Sequence, residues 1–385
     1  MKVFIIAGEP SGDKLGGALM QGLKTLVPDV SFEGIGGERM LEEGLQSLFP
    51  MDEISIMGIT EILRNYGALK ARIRQTAEAV VAAKPDVLIT VDLPEFSLRV
   101  AKLVKAASSI RTVHYVAPTV WAWRPGRAAK MAKHIDQVLA LLPFEPPYME
   151  AAGMRCDFVG HPVVTDPQAS QSEEAEFRLR HGIGDAPLCL ILPGSRRSEV
   201  SRLGPVFGAA LARVQEARPE LRYVLPMAAP VAELVRETVQ GWSVDPILLD
   251  PRGQGEAGKA EKRAAFAAAD VALAASGTVA LELAAANTPM VIGYDMGWLS
   301  RQIIGRLMLV DSVNLVNLVA ESRTIPEYIG DACRPGPIGD AVLRVLEAPQ
   351  EQTQAMQLTM ERLGKGGPAP GMRAAEAVLA GLHDA

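Results

Sequence analysis

The sequence predicts an α/β protein of two doubly wound domains with a cleft between them. Three observations carry this. The chain has 385 residues, more than one domain of about 150 residues accommodates. Short apolar, β-rich runs alternate with helical stretches along its length, the pattern of parallel α/β architecture. Each half opens the same way, with an apolar strand running into a Gly/Ser loop and a helix: FIIAGEPSGD from Phe4 and LCLILPGSRRSEV from Leu188. Two such domains face to face would bring both loops, at the carboxyl ends of their sheets, onto one cleft.

In order, strands are expected at residues 3–7, 30–35, 87–91, 112–116, 137–142 and 156–159, with helices at 13–26, 69–83 and 96–107. At 165–176, Asp-Pro, Gln, Ser and Glu replace the apolar periodicity, which reads as a linker dividing a domain of residues 1–165 from one of 166–385. The last helices are free to return to the first domain or to a partner subunit. The second domain repeats the scheme, with strands at 188–192, 223–226, 246–249, 271–274 and 290–293. The low-complexity stretch RGQGEAGKAEK, 252–262, reads as an exposed loop.

Composition removes several function classes. Hydrophobic residues make up 48% and charged residues 22%, a globular balance. The net charge of −6 argues against a nucleic-acid partner. Cys156, Cys189 and Cys333 are widely spaced with no Cys-x-x-Cys pair, which points to a reducing compartment rather than a disulfide framework or structural zinc. The N-terminal apolar run is too short for a signal-peptide core, and no run reaches the roughly 18 residues that span a bilayer. The expectation is a soluble protein or one attached to a membrane surface.

The loops supply the candidate site. In GEPSGD, Gly8, Ser11 and Gly12 let the backbone approach a ligand ahead of a helix N-terminus; a tight strand-to-helix turn is the alternative. Neither this loop nor GIGGERM completes a P-loop or dinucleotide fingerprint. Gly194, Ser195 and Arg196 follow the strand at 188–192. In ASGTVALE, Ser276, Gly277 and Thr278 can present amides and hydroxyls to a diphosphate, and Glu282, one turn on, can accept the vicinal hydroxyls of a ribose. A plain helix cap with a solvated Glu282 is the alternative. Asp92, just after the strand at 87–91, is placed to act as a general base, or to cap a turn. Glu95 offers a second carboxylate. No Asp-x-Asp occurs and the five histidines do not cluster, so no metal and no other cofactor is expected.

Two basic segments stand out. Residues 96–135 hold eight Lys or Arg and no acid, with Trp121 and Trp123 among them, a field suited to an anionic substrate or a phosphate surface. In 54–74, Ile59, Ile62, Leu63, Tyr66, Leu69 and Ile73 fall at near-helical spacing beside Arg64, Lys70, Arg72 and Arg74. That describes either a helix lying in a bilayer interface or one packed on its own domain.

Ten motifs occur in order: GEPSGD, GIGGERM, IMGITEIL, VDLPEF, HYVAPTVWAWRPGR, LPFE, VGHP, LPGSRRSEV, ASGTVALE and PMVIGY. Together they resemble the bacterial lipid-A-disaccharide synthase family from the first strand to about Asn317, more weakly beyond. The resemblance implies an inverting, metal-independent glycosyltransferase with two Rossmann-like domains of the GT-B type. Such an enzyme moves 2,3-diacylglucosamine from UDP-2,3-diacylglucosamine to 2,3-diacylglucosamine 1-phosphate, leaving UDP. It implies Asp92 as catalytic base, Arg196 and Asn317 as further important residues, and Glu282 on the ribose. It also implies a place on the cytoplasmic, anionic face of the inner membrane, with the 54–74 helix at the interface, and C-terminal helices able to mediate a homodimer. Family members often carry Asp at the position of Glu95 and Pro at that of Val316. Rival readings of the same residues are a UDP-N-acetylglucosamine epimerase, a cell-wall lipid-intermediate transferase, and a non-catalytic UDP-sugar or lipid-binding protein.

Overall fold

The computed structural model describes residues 1–55, 66–122, 126–297 and 310–383. They form two compact units, one of residues 1–165 with 363–385 and one of residues 166–362. Both units are Rossmann-like parallel sheets with covering helices.

In unit 1 the strands are β1 (Lys2–Ala7), β2 (Ser31–Ile35), β3 (Gln46–Ser47), β4 (Val87–Val91), β5 (Arg111–Tyr115), β6 (Gln137–Ala140) and β7 (Arg155–Phe158). They lie in the order β3-β2-β1-β4-β5-β6-β7, all parallel. The helices are α1 (Pro10–Leu26), α2 (Glu38–Glu42), α3 (Tyr66–Ala83), α4 (Pro94–Ala107), α5 (Gly126–Met131) and α6 (Pro146–Glu150). Strand side chains alternate between faces, and the two cores follow that alternation. Val3, Ile5 and Ala7 pack with Leu15, Leu19 and Leu23 of α1, while Phe4 and Ile6 pack with Ile73 and Val80 of α3 and Val100 and Val104 of α4. With helices on both faces, β4 is buried at every position, which is why it reads as a continuous apolar run.

Unit 2 holds α7 (Gln171–Arg180), β8 (Leu188–Leu192), α8 (Arg197–Ala217), β9 (Arg222–Pro226), α9 (Ala232–Val239), β10 (Ile247–Leu249), α10 (Gly255–Ala268), β11 (Val271–Ala275), α11 (Val279–Ala285), β12 (Met290–Tyr294), α12 (Leu315–Ala320), β13 (Glu327–Ile329), α13 (Pro335–Glu347) and α14 (Gln350–Arg362). The sheet order is β10-β9-β8-β11-β12-β13, again parallel throughout. In both sheets the strand order reverses once, between β1 and β4 and between β8 and β11. The carboxyl ends at such a switch point are where ligands of open α/β sheets bind.

Three expectations change. The stretch 165–176 is linker only to its middle. Ser170 caps α7, accepting the Glu173 N–H at 3.3 Å while its own N–H donates to the Glu173 carboxylate at 2.8 Å, a reciprocal box that polar composition conceals. The stretch 252–262 is helical from Gly255 onward; its charges lie on a helix whose Gly258, Ala264 and Ala265 are buried. The short edge strands β3 and β13 have no apolar run to announce them.

The second unit ends at 362, because α15 (Pro370–His383) packs on α1 of unit 1, one of the two placements left open for the last helices. Ala374, Ala375 and Val378 are buried there, and Gln137 donates to the carbonyl of Ala377 at 2.8 Å. The crossing is close enough that a Cβ on Gly371 would sit 2.5 Å from the Ala18 carbonyl oxygen. Because that neighbour is backbone, Gly371→Ala should cost about 1–3 kcal/mol by overpacking. The check is the urea midpoint of unit 1, and an unchanged midpoint would contradict this packing.

Candidate active site

At the switch point of unit 1, Asp92 follows β4 directly. Asp92 and Leu93 both adopt left-handed backbone, φ 50° and 47°, and on the neighbouring strand end Val116 has φ 83°. Each such conformation costs a non-glycine residue on the order of 1–3 kcal/mol and tends to cluster where function needs it. The turn is held from several sides. The Asp92 N–H donates to the Tyr115 carbonyl at 2.9 Å, and the buried Ser97 hydroxyl donates to the Asp92 carbonyl at 2.7 Å. Burial pushes the Asp92 carboxyl above the ordinary carboxylate value; the Leu93 N–H it accepts and the positive charge of Arg127 on α5 pull the other way. Beneath it His114, fully buried and bonded through Nδ1 to Thr90 Oγ1 at 2.8 Å, is pushed down to about 4 by burial and by Arg127, so it is neutral at physiological pH.

Glu145 of LPFE, which the sequence reading left unassigned, ties two adjacent rim loops together. Its buried carboxylate accepts the N–H groups of Leu141 and Leu142, after β6, at 3.1 and 3.0 Å, and the Trp121 indole N–H, in the loop after β5, at 3.3 Å. A carboxylate just beyond the apolar run 137–142, in LPFE, was the available signal.

The first two glycine loops are occupied by the protein itself. The buried Asp13 accepts the N–H groups of Gly37, Arg39 and Met40 at 2.8, 3.0 and 3.1 Å, filling the amide nest of GIGGERM. Gly12 packs against Ala7 and the Val91 carbonyl, Ser11 is exposed on the first turn of α1, and Gly8 lies under the Leu93 side chain. In unit 2, Glu199 fills the nest that Gly194 opens, accepting the N–H groups of Ser195 and Arg196 at 2.9 and 3.2 Å and pairing with the otherwise exposed Arg196 guanidinium at 3.0 Å.

The loop after β11 differs. Among the described residues no side chain bonds to the amides of Ser276, Gly277 or Thr278, and a Cβ on Gly277 would meet nothing within 4 Å. Glu282 on the following helix accepts Lys262 at 2.6 Å, both half exposed. Lys262 also lines a cavity of about 260 Å³ at the carboxyl ends of β9 and β10, with Pro226, Met227, Asp250 and Gly258. Open amides, a carboxylate and a cavity are thus contiguous along one rim. Among the described residues no group of three or more His, Cys, Asp or Glu is placed to hold a metal ion.

Other expected residues are not brought together. Asn317 is fully buried. Its amide donates to the Ile325 carbonyl and Glu327 at 2.9 and 3.0 Å and its oxygen accepts the Ile325 N–H at 3.0 Å. Neighbouring Asn314 approaches the sulfur of Met290, the first residue of β12, so this cluster sits by the amino ends of β12 and β13, opposite the Ser276 rim. Asn317 thus holds the turn before β13 through its own amide. Glu95 is exposed and paired with Arg99 at 3.1 Å. Of the expected interfacial helix, Ile59, Ile62 and Leu63 lie outside the described residues and Tyr66 begins α3. Leu69 and Ile73 are buried in unit 1, and Arg72 pairs with Glu53 and lies over the Phe49 ring, leaving Arg74 exposed. The described part of that helix is therefore packed on its own unit. Among the described residues no helix is long and apolar enough to cross a membrane.

A family model described as lipid-A-disaccharide synthetase matches residues 3–377. The lipid-A-disaccharide synthase of Ruegeria pomeroyi is 62% identical over 380 residues, 98% of this chain and 95% of that protein. That of Rhodospirillum centenum is 48% identical over 383 residues, 98% and 94%. Among solved structures, a UDP-GlcNAc 2-epimerase from Neisseria meningitidis bound to UDP-GlcNAc superposes with a TM-score of 0.64 at 13% identity over all of both chains. Anabaena Alr3699/HepE in complex with UDP and glucose does so at 0.55 and 13%, over 100% and 99%. At such identities the likeness is one of fold.

The Glu145 latch predicts a pH effect. Burial pushes this carboxyl up to about 7, so the folded state binds its proton more tightly than the unfolded chain does. Its contribution is greatest below the ordinary carboxylate value and is lost as pH rises through about 7. Thermal midpoints from pH 5 to 8 should fall more steeply in the native protein than in Glu145→Gln; parallel curves would contradict the assignment.

Proposed function

This chain belongs to the lipid-A-disaccharide synthetase family, and on that premise we propose a specific reaction and division of labour. As a member it is a glycosyltransferase that makes the lipid A disaccharide. The donor is UDP-2,3-diacylglucosamine and the acceptor is the 6-hydroxyl of 2,3-diacylglucosamine 1-phosphate. The acceptor oxygen attacks the anomeric carbon, its proton passes to Asp92, and the bond to UDP breaks with its electron pair leaving on the phosphate. One displacement inverts the anomeric centre and gives a β-linked product.

The observation that supports Asp92 most is its place at the unit 1 switch point, with both backbone groups fixed and its carboxylate desolvated. A general base works best when its affinity for the proton approaches the working pH, and partial burial moves a carboxyl in that direction. The loop Ser276–Thr278 supports a diphosphate seat, Glu282 released from Lys262 a ribose contact, and the adjoining cavity a pyrimidine ring. The exposed guanidinium of Arg196 is free to turn from Glu199 to the leaving phosphate, stabilising developing charge. The acylated substrates support work at the cytoplasmic face of the inner membrane, to which Arg74 and the basic residues of the first unit would contribute attraction.

Asp92→Asn should keep UDP affinity and lower kcat by about 10²–10⁴, the usual range for a positioned general base. Acylated donor and acceptor are supplied together and disaccharide and UDP followed. Unimpaired turnover removes Asp92 from the mechanism, and donor conversion without acceptor would favour an epimerase instead.

A further inference from the structure

We infer that Gly8 and Leu93 form a clasp that aims the Asp92 carboxylate, so that a glycine at the end of β1 acts as a positioning residue for chemistry on β4. The inference rests on the reading of Asp92 as general base. β1 and β4 are neighbours at the switch point, with Ala7 opposite Val91 in register. One residue further, the chains diverge, and Leu93 folds its side chain back across the end of β1. A Cβ on Gly8 would stand 2.2 Å from Leu93 Cδ2 and 3.2 Å from Ile54 Cδ1. Only a residue without a side chain leaves this slot open, and Ile54 closes its far side.

The slot matters because of what Leu93 does with its backbone. Its left-handed conformation, shared with Asp92, sets the turn from which the Asp92 side chain leaves β4. The side chain seated over Gly8 holds that turn in place, while Ser97 and Tyr115 hold the two backbone groups of Asp92. The clasp therefore determines where the carboxylate points, and the adjacent Leu93 N–H favours its charged form. The other charged group acting on it is Arg127, on α5; His114 on the neighbouring strand is buried and neutral. Neither lies on β1, so a change at Gly8 reaches Asp92 through Leu93.

Three variants test this: Gly8→Ala, which pushes Leu93 out; Leu93→Ala, which empties the slot without crowding it; and the two combined. The rate of disaccharide formation is followed from pH 5 to 9, with UDP affinity and thermal midpoint measured alongside. Each single variant should lose at least about tenfold in kcat, since small displacements of catalytic groups cost that much or more. The acidic limb of the kcat profile should move to higher pH, because the carboxylate loses an N–H that stabilises its charge. UDP affinity should not change. The double variant should lose less than the product of the single losses, as expected for residues sharing one contact. A fall in kcat with an unmoved limb, or no fall at all, overturns the clasp. If Gly8→Ala does not fold, Leu93→Ala decides alone by the same limb. Asp92→Asn separates the two claims: an active Asn variant that retains the acidic limb defeats the base assignment, whereas a limb lost there but unmoved in the Leu93 variant defeats only the clasp.

Discussion

Every parallel strand that ends on a rim delivers unpaired backbone N–H groups there, and what satisfies them governs where a ligand can sit. Buried or half-buried amides need an acceptor. In this protein two of the glycine-rich turns draw that acceptor from their own chain. Asp13 reaches across from α1 to the turn before α2, and Glu199 folds back from the first turn of α8. An anion arriving at either nest would have to displace a carboxylate already bonded to two or more N–H groups. Among the described residues the turn between β11 and α11 has no such occupant, so its amides stand open.

The two rims do different work with similar architecture. In unit 2 the switch-point loops combine an internally closed turn bearing an exposed, Glu199-paired arginine with an open one. In unit 1 what the switch point shows is strained backbone. Left-handed backbone at Asp92, Leu93 and Val116 survives because sheet bonds, the Ser97 hydroxyl and the slot above Gly8 over-determine it, and Glu145 braces the next two loops. The proposed reaction draws on one feature of each unit, the desolvated carboxylate of Asp92 and the open amides of Ser276–Thr278. The reacting oxygen must lose a proton while the leaving phosphate gains charge.

Much of this was legible in the sequence, and the reasons for success and failure are physical. Strands such as Val87–Val91 and Leu188–Leu192 are covered on both faces, so they appear as uninterrupted apolar runs. Asp92 could be singled out because it directly follows one of them. The helix from Gly255 was misread because its small residues make the buried stripe, and Ala and Gly carry little hydrophobic signal. The internal bonds of Asn317 were not legible, because a motif match reports that a residue matters and not what it touches; here it satisfies the backbone of Ile325 and the carboxylate of Glu327. Gly8 and Gly12 looked like ligand-facing glycines, whereas their missing side chains admit Leu93 and the end of β4. No local pattern encodes such contacts, since they join residues 85 and 79 positions apart. Arg127 was visible only as one charge in a basic stretch until folding set its charge to act on Asp92.

The most direct measurement is calorimetric titration of UDP into variants of the two unit 2 loops. Gly277→Val should weaken binding by at least about tenfold, because the Gly277 φ of 154° disfavours a side chain, so the loop must shift, and a free amide seat for charge contributes energy of that order. Ser195→Ala should leave binding nearly unchanged, its turn being filled by Glu199. The reverse ranking, with Ser195→Ala weakening UDP and Gly277→Val tolerated, would contradict the account.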